Sequence, residues 1–198
     1  MARNSSQTRI IESASLLFHQ YGFDVVTVDQ ICHDSSSAKG SFYHFFSSKE
    51  DLAVKLLDNL WESNELALEK TFSKDKPPLE QIRDELHRVY SQARASREKT
   101  GQINGCAMGV LASSLSSRSE KIRKRASFLY NHTRQFYLAS FEQAQSEGDL
   151  RSDFDASELA DTMLVIVQGI HAMGRTFNSP TKVKRLVNSA FSVLVGNN

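Results

Sequence analysis

Apolar side chains recur at helical spacing along almost the whole chain, and this feature restricts the fold more than any other. In one segment after another they stand three or four positions apart, as do Leu79, Ile82, Leu86 and Val89. Such spacing places them on one face of an α-helix, whereas a half-buried strand would require strict alternation. The pattern predicts an all-α protein of about nine helices.

Short polar clusters divide the N-terminal part into short helices. The segment Thr27–Gln30 has the capping-box form that starts a helix. The turn-forming segment Asp34–Ser37 ends that helix early. Ser37 is the predicted N-cap of a third helix, from Ala38 to about Phe45, and the longer first helix ends at Gly22, a predicted left-handed cap. Two short helices joined by a tight turn and packed on a longer one form a helix-turn-helix unit.

The second helix of such a unit lies in the DNA major groove and presents side chains to base edges. Here that helix carries polar side chains at Lys39, Ser41, Tyr43 and His44, with Gly40 between them. Glycine inside a helix costs roughly 1 kcal/mol relative to alanine, so close approach of the backbone to a phosphate explains Gly40 better than packing does. The sequence therefore predicts a DNA-binding face on this helix.

Three segments together resemble the TetR/AcrR family of bacterial transcriptional regulators. They are Thr27–Cys32, Ala38–Phe46 and Ser48–Leu52, which agree with the family at fixed spacing. The resemblance implies a homodimer whose two N-terminal heads bind a palindromic operator in double-stranded DNA, while a C-terminal helical bundle binds a small-molecule inducer. We expect a helix-turn-helix DNA-binding domain at 4–64 and a helical ligand-binding and dimerisation domain at 65–198.

The resemblance also implies roles for individual residues of the head. Thr27 would contact a phosphate while capping its helix, and Tyr43 would hydrogen-bond to another. Lys49 would meet a phosphate at the start of the fourth helix, where free amides also favour an anion. The family usually has glycine and then an apolar residue where this chain has Ser36 and Ser37. The expected DNA-binding residues are Thr27, Ser37, Lys39, Gly40, Ser41, Tyr43, His44 and Lys49.

The C-terminal part contains candidates for an inducer site. Cys106 follows Gly105 near a helix start, where amide dipoles lower the pKa of a thiol. A subset of TetR-like regulators has such a Gly-Cys pair and uses the cysteine to sense electrophiles or oxidants, but a free cysteine is also common as a small core residue. Aromatic and methionine side chains would either line a cavity or fill the core. The expected ligand-binding or sensing residues are Cys106, Trp61, Tyr90, Met108, Phe136, Tyr137, Met163 and His171.

The last two helices are predicted to hold two copies of the chain together. The segment Asp155–Gly174 is too apolar on every face for the surface of a monomer. The helix Val183–Leu194 has an apolar stripe that includes Val187 and Phe191. Two copies related by a two-fold axis would bury both helices. The two recognition helices would then lie about 34–36 Å apart, or a multiple of that distance.

The charge distribution gives little sign of a DNA-binding protein. The formal net charge is +1, and residues 1–50 carry four basic side chains against five acidic ones. A dense basic run comprises Arg118, Lys121, Arg123, Lys124 and Arg125. Because nothing aromatic interleaves it, we expect a solvated helix face, with a role at an anion or the DNA backbone as the alternative.

The remaining features exclude other function classes. Two cysteines cannot form a disulfide framework and favour a reducing compartment. The first seven residues lack a signal-peptide core, and the apolar run Met163–Val167 is too short to cross a bilayer. We therefore expect a cytoplasmic protein without membrane contact.

No enzymatic motif stands out, since the chain lacks the residue patterns of hydrolase triads, phosphate loops and dinucleotide sites. Cys32, His33 and His44 do not have the spacing of metal ligands. We expect no enzyme, metal or cofactor, and a repressor released by a small-molecule or thiol-reactive inducer. The alternative is a helical small-molecule-binding or carrier protein whose head binds another protein.

Overall fold

The computed structural model describes residues 5–196, and within that range the secondary structure consists of nine α-helices. This confirms the predicted all-α class. Residue 4, where the predicted head begins, lies outside the described residues. No helix within the described range is long and apolar enough to span a membrane. The helices are α1 (Ser6–Tyr21), α2 (Val28–Asp34), α3 (Lys39–Phe45), α4 (Lys49–Thr71), α5 (Pro78–Thr100), α6 (Ala107–Leu115), α7 (Glu120–Glu147), α8 (Ala156–Phe177) and α9 (Pro180–Val195).

The helices form two compact units. Of the described residues, the first contains 5–62 together with Ala107–Ser127, and the second contains Ser63–Cys106 together with 128–196. Both α4 and α7 therefore contribute to both units. The functional division predicted at residue 64 remains a prediction.

The capping box predicted at the start of α2 is present in the structure, whereas the predicted left-handed cap at Gly22 is not. In the predicted capping box, Gln30 N–H donates to Thr27 Oγ1 (3.1 Å) and Thr27 N–H donates to Gln30 Oε1 (2.7 Å). Gly22 follows α1 with a φ of 85°, but its ψ of 155° is extended rather than left-handed helical. The largest fully buried apolar side chains of this unit are Ile10, Phe18, Ile31, Phe42, Phe46, Leu52 and Leu57.

The turn between α2 and α3 differs from the prediction in one respect. Ala38, not Ser37, is the N-cap of α3, and no side chain caps this helix. The Ser37 hydroxyl instead donates back to the Ser35 carbonyl (3.3 Å), an acceptor at the end of α2. Ser36 carries the turn with a φ of 49°, the left-handed conformation that suits glycine and costs a serine roughly 1–2 kcal/mol.

Helices α5, α8 and α9 pack together in the second unit. α5 begins at Pro78, whose fixed φ suits a first turn, and ends before Gly101 in the left-handed conformation (φ 76°). Asp155 caps α8 and Ser179 caps α9 through their side-chain oxygens. The apolar faces of the three helices are buried at Ile82, Leu86, Val89, Met163, Val167, Ile170, Val183, Val187 and Leu194.

A different set of apolar residues faces outward on α8 and α9. Val165 is 71% exposed on α8, and Leu186 and Val193 are exposed on α9. The predicted place of Val187 on the dimer surface is wrong, because Val187 is only 3% exposed and packs inside its own unit. Phe191 is half-buried beneath the Arg83 guanidinium, 4.5 Å from its ring centroid.

Candidate nucleic-acid interface

The outer face of α3 carries the polar residues predicted to bind DNA. Lys39, Gly40, Tyr43 and His44 are exposed and Ser41 is half-buried. On the opposite side Phe42 and Phe46 are buried and their rings contact each other, with centroids 5.6 Å apart. These two aromatic anchors fix the seven-residue helix, so that its polar face stays turned outward.

Gly40 stands at an open position of α3. Among the residues that the structure describes, a Cβ atom added there would meet no heavy atom within 4 Å outside the neighbouring helix backbone. Because glycine destabilises a helix interior relative to alanine, the fold itself does not explain why glycine stands here. The open space above its backbone allows close approach of a molecule from outside, as the sequence analysis expected.

Tyr43 and Thr27 are held by local contacts. The Tyr43 ring meets the Phe42 ring edge-on at 5.2 Å, which restrains the side chain while leaving it 53% exposed. The Thr27 hydroxyl accepts from Gln30 N–H at the start of α2. The structure thus places both predicted phosphate-binding residues on exposed positions of the helix-turn-helix unit.

Lys49, also predicted to bind phosphate, has acceptors within its own chain. Its Nζ donates to the carbonyls of Phe23 (2.7 Å) and Val26 (2.8 Å), and it lies 4.3 Å from the Phe23 ring centroid. Burial lowers the pKa of this ammonium, and the charge of Asp24 opposes that effect. These bonds hold the loop between α1 and α2 just before Thr27. Since an ammonium has three N–H groups, a phosphate contact remains a prediction.

The other two cations of residues 5–50 are also engaged. Arg9 Nε donates to the Ser35 carbonyl (3.1 Å) and so anchors the turn between α2 and α3. Lys39 Nζ lies 2.8 Å from Asp29 Oδ1, and this hydrogen bond raises the pKa of Lys39. The Lys39 ammonium on the predicted DNA-binding face is therefore already paired with a carboxylate.

The basic run lies on a solvated helix face, as expected, and its cations form ion pairs there. The Arg118 guanidinium donates to both carboxylate oxygens of Asp24 (3.1 and 2.8 Å), in the loop between α1 and α2. The further ion pairs of the run are Lys121 with Asp51, Arg125 with Asp58, and Arg123 and Lys124 with Glu120.

The predicted inducer-site residues are divided between the two units. Trp61 and Met108 belong to the first unit, and the other six to the second. Of the eight, His171 lines a cavity of about 30 Å³, which has room for a water molecule rather than for an inducer. Burial lowers the pKa of His171 to about 4, so this imidazole is neutral at physiological pH. Within residues 5–196, no three His, Cys, Asp or Glu side chains are grouped as a metal site.

A buried polar cluster in the second unit escaped the sequence analysis. The fully buried Glu85 carboxylate accepts two N–H bonds from Arg88 (both 2.7 Å) and one O–H bond from Tyr137 (3.2 Å). Burial raises the pKa of Tyr137, so its hydroxyl keeps its proton. The signal was present, because Glu85 stands one turn from Ile82 and Val89 on the apolar stripe of α5, where a charge needs a buried partner.

The two cysteines have different surroundings. Cys106 is half-buried and interacts electrostatically with Arg88, Tyr130 and Tyr137. Cys32 is buried on α2, and burial, followed by the nearby Asp29 charge, raises the pKa of its thiol. Because the thiolate is the reactive form, this raised pKa makes the Cys32 thiol less reactive than an ordinary exposed cysteine.

Two family models match the chain, and together they cover both of its units. The model described as "Bacterial regulatory proteins, tetR family" matches residues 10–56, which include the helix-turn-helix unit. The model described as "Tetracyclin repressor-like, C-terminal domain" matches residues 80–190. The second match alone spans more than half of the 198 residues.

Individual regulators are also similar to this chain. YxaF of Bacillus subtilis, an uncharacterized HTH-type transcriptional regulator, is 31% identical over 62% of each chain. LmrA, an HTH-type transcriptional regulator of the same bacterium, is 25% identical over 85% of this chain and 86% of LmrA. The chain spans less than two thirds of the length of YxaF and of a Lactococcus lactis relative (62% and 64%). The crystal structure of regulatory protein TetR from Rhodobacter sphaeroides shares the fold, with a TM-score of 0.83 at 21% identity over 94% and 97% of the two chains.

Proposed function

Because the chain belongs to the TetR family of bacterial regulatory proteins, we propose that it is a sequence-specific DNA-binding transcriptional regulator. It acts as a repressor in the cytoplasm, where bacterial DNA lies, and leaves a palindromic operator when an inducer binds. The observation that carries the proposal is the outer face of α3, where Lys39, Tyr43 and His44 surround the open backbone of Gly40.

The contacts of this face divide into two classes. Thr27 and Tyr43 would hydrogen-bond to phosphates, which set the position of the head but carry no sequence information. Lys39, Ser41 and His44 would reach base edges, which carry the sequence information. Ser37 and Gly40 complete the face at the start of α3. In this proposal the main task of Lys49 is to hold the loop that ends at Thr27.

The proposed functional form is a homodimer, because a palindromic operator needs two heads related by a two-fold axis. Its interface would comprise the outward apolar residues of α8 and α9. Val165 and Met173 stand two helical turns apart on α8 with Gly169 between them, and a Cβ at Gly169 would come within 4 Å of no other part of the described residues. Leu186 and Val193 stand two turns apart on α9. A face of this kind, apolar with a glycine at its centre, suits close packing of two copies.

The DNA-binding part of the proposal is tested by removing one oxygen atom. Tyr43→Phe keeps the ring against Phe42 and removes the hydroxyl. Because a hydrogen bond to a charged group contributes about 1.5–3 kcal/mol, we expect at least about a tenfold loss of affinity. The loss should be similar for every duplex. Fluorescence anisotropy with DNA flanking the protein's own gene, at two salt concentrations, measures it.

The matched control is Tyr21→Phe, since Tyr21 is an equally exposed tyrosine on α1 (56%). Its variant should bind DNA like the wild type. Equal affinity of the Tyr43→Phe and wild-type proteins would remove the outer face of α3 as the DNA-binding site. If the wild type binds no duplex at either salt concentration, the carrier-protein alternative replaces the proposal.

The inducer is proposed to act in the second unit, either by occupying a cavity or by reacting with Cys106. The reactive route is supported by the half-buried position of Cys106 and by its interaction with the Arg88 charge, since a nearby cation favours a thiolate. The cavity route is supported by a patch of aromatic residues, with the Phe72 ring 5.9 Å from Phe136 and 5.6 Å from Tyr137.

Cys106→Ser separates the two routes. If the thiol is the trigger, this variant should bind the operator as the wild type does but stay bound when N-ethylmaleimide is added. Cys32→Ser is the matched control and should release the operator on treatment, as the wild type does. A full shift of the population, from 1:99 to 99:1, corresponds to about 5.5 kcal/mol, so the two cysteine variants should differ clearly. Release of Cys106→Ser by the same reagent would make the cysteine structural and favour a cavity ligand.

A further inference from the structure

We propose that Asp29 determines how strongly the protein prefers its operator to other DNA, because it competes with DNA phosphates for the ammonium of Lys39. The inference rests on the proposed function and adds a specificity-determining residue to it. Asp29 lies in the first turn of α2 and Lys39 is the first residue of α3, with 2.8 Å between Nζ and Oδ1. Both side chains are more than half exposed, so DNA has access to the pair.

Residues 5–50 contain only three Lys and Arg side chains that could neutralise phosphates, and all three already have partners. Affinity for any duplex depends largely on Lys and Arg side chains that neutralise phosphates. Within residues 5–50, Arg9 and Lys49 donate to backbone carbonyls that hold the turn and the loop of the head. Lys39 differs from both, because its partner is an exposed side chain that can turn away without loss of the fold.

The partner of Lys39 also resembles the ligand that non-specific binding would offer. A carboxylate and a phosphate both present anionic oxygens to an ammonium. A phosphate that binds Lys39 must either displace Asp29 or share the ammonium with it, and in both cases it lies beside the negative charge of Asp29. A base edge is different, since guanine offers the acceptors O6 and N7 to a lysine without a negative charge of its own.

The ion pair with Asp29 therefore weakens the contacts of Lys39 with the DNA backbone more than its contacts with base edges. Discrimination of this kind arises from a repulsive element directed against the wrong partner, as well as from attraction to the right one. Asp29 supplies that element beside the recognition helix. Its effect is strongest on DNA that offers Lys39 only phosphates, which is the situation at random sequence.

The test is Asp29→Asn, which keeps the shape of the side chain and removes its charge. Dissociation constants are measured by fluorescence anisotropy between 50 and 200 mM salt, for a 30-base-pair duplex of random sequence and for DNA flanking the protein's own gene. For the random duplex, bound by both heads of the dimer, we expect tighter binding and a log–log salt slope steeper by about 1.8, as for one more neutralised phosphate per head. The ratio of its dissociation constants at the two salt concentrations should then grow about twelvefold. Affinity for the flanking DNA should change less, so the specificity ratio falls.

Two controls separate this role from others. Glu12→Gln makes the same change in net charge at an exposed position of α1 and should leave the salt slope unchanged. In a Lys39→Ala background, Asp29→Asn should no longer tighten binding to the random duplex, because the cation that it releases is missing. A purely structural role for Asp29 would instead weaken binding to both duplexes.

An unchanged salt slope and affinity in Asp29→Asn would overturn the inference alone. Tighter binding that persists in the Lys39→Ala background would also overturn it, since Asp29 would then act by general repulsion. If the wild-type protein binds neither duplex, the proposed function fails and the inference fails with it.

Discussion

Val165→Glu is expected to convert the proposed dimer into monomers and to remove operator binding. The substitution places a carboxylate on the outward face of α8, where Val165 is 71% exposed. In a two-fold interface the change occurs twice, so two like charges would be buried near one another without partners. Two linked heads gain about a hundredfold or more in avidity over one head, and a monomer loses that gain. Sedimentation at micromolar concentration and anisotropy with operator DNA measure the two effects.

The same substitution elsewhere on the surface provides the control. Leu66 is 60% exposed on α4, and Leu66→Glu should leave both the dimer and the operator affinity intact. Val193→Glu on α9 should behave like Val165→Glu, because the proposed interface includes both helices. Dimers that persist at micromolar concentration in Val165→Glu and Val193→Glu would contradict the proposed interface.

Helix positions were predictable because they depend on short-range chemistry. The capping box of Thr27 and Gln30 involves residues only three positions apart, and it formed as predicted. The prediction that Ser37 is the N-cap of α3 was wrong, and the sequence alone does not show why. The Ser37 hydroxyl could form either of two hydrogen bonds. It could accept one from a free amide at the start of α3 or donate one to the Ser35 carbonyl, and the geometry of the turn favours the second.

Long-range pairing was the part that the sequence could not predict. Periodicity places Val187 on an apolar stripe, but it does not say whether that stripe faces the same chain or a second copy, and Val187 proved to face its own chain. Likewise, the sequence identifies Arg118 as a basic residue, but it does not show that Asp24, 94 positions away, accepts its hydrogen bonds. Lys49 illustrates the same limit, because its acceptors Phe23 and Val26 are backbone carbonyls, which every residue possesses.

Glu85→Ala is expected to cause the largest loss of stability among single substitutions of a charged side chain in the second unit. It would leave the Arg88 guanidinium, with a side chain only 20% exposed, and the fully buried Tyr137 hydroxyl without their shared acceptor. Removing one partner of a buried ion pair costs about 3–5 kcal/mol. For a chain of this length, that free energy corresponds to a fall in Tm of about 6–20 °C, measurable by circular dichroism.

A second ion pair on the same helix is the control for this prediction. Glu98 and Arg94 on α5 are both exposed, and exposed pairs contribute about 0–1 kcal/mol, so Glu98→Ala should change Tm by only a few degrees. Equal effects of Glu85→Ala and Glu98→Ala would contradict the assignment of Glu85 as a buried partner.

The triple variant Glu85→Leu, Arg88→Met, Tyr137→Phe distinguishes a role of the buried cluster in folding from a role in ligand recognition. It removes every member at once, and replacing a buried ion pair by apolar side chains of similar volume is often neutral or stabilising. We therefore expect it to recover most of the stability that Glu85→Ala loses. If it also keeps operator binding but no longer responds to the inducer, the cluster serves ligand recognition beside Cys106 rather than folding. A triple variant as unstable as Glu85→Ala would show instead that the fold depends on these hydrogen bonds.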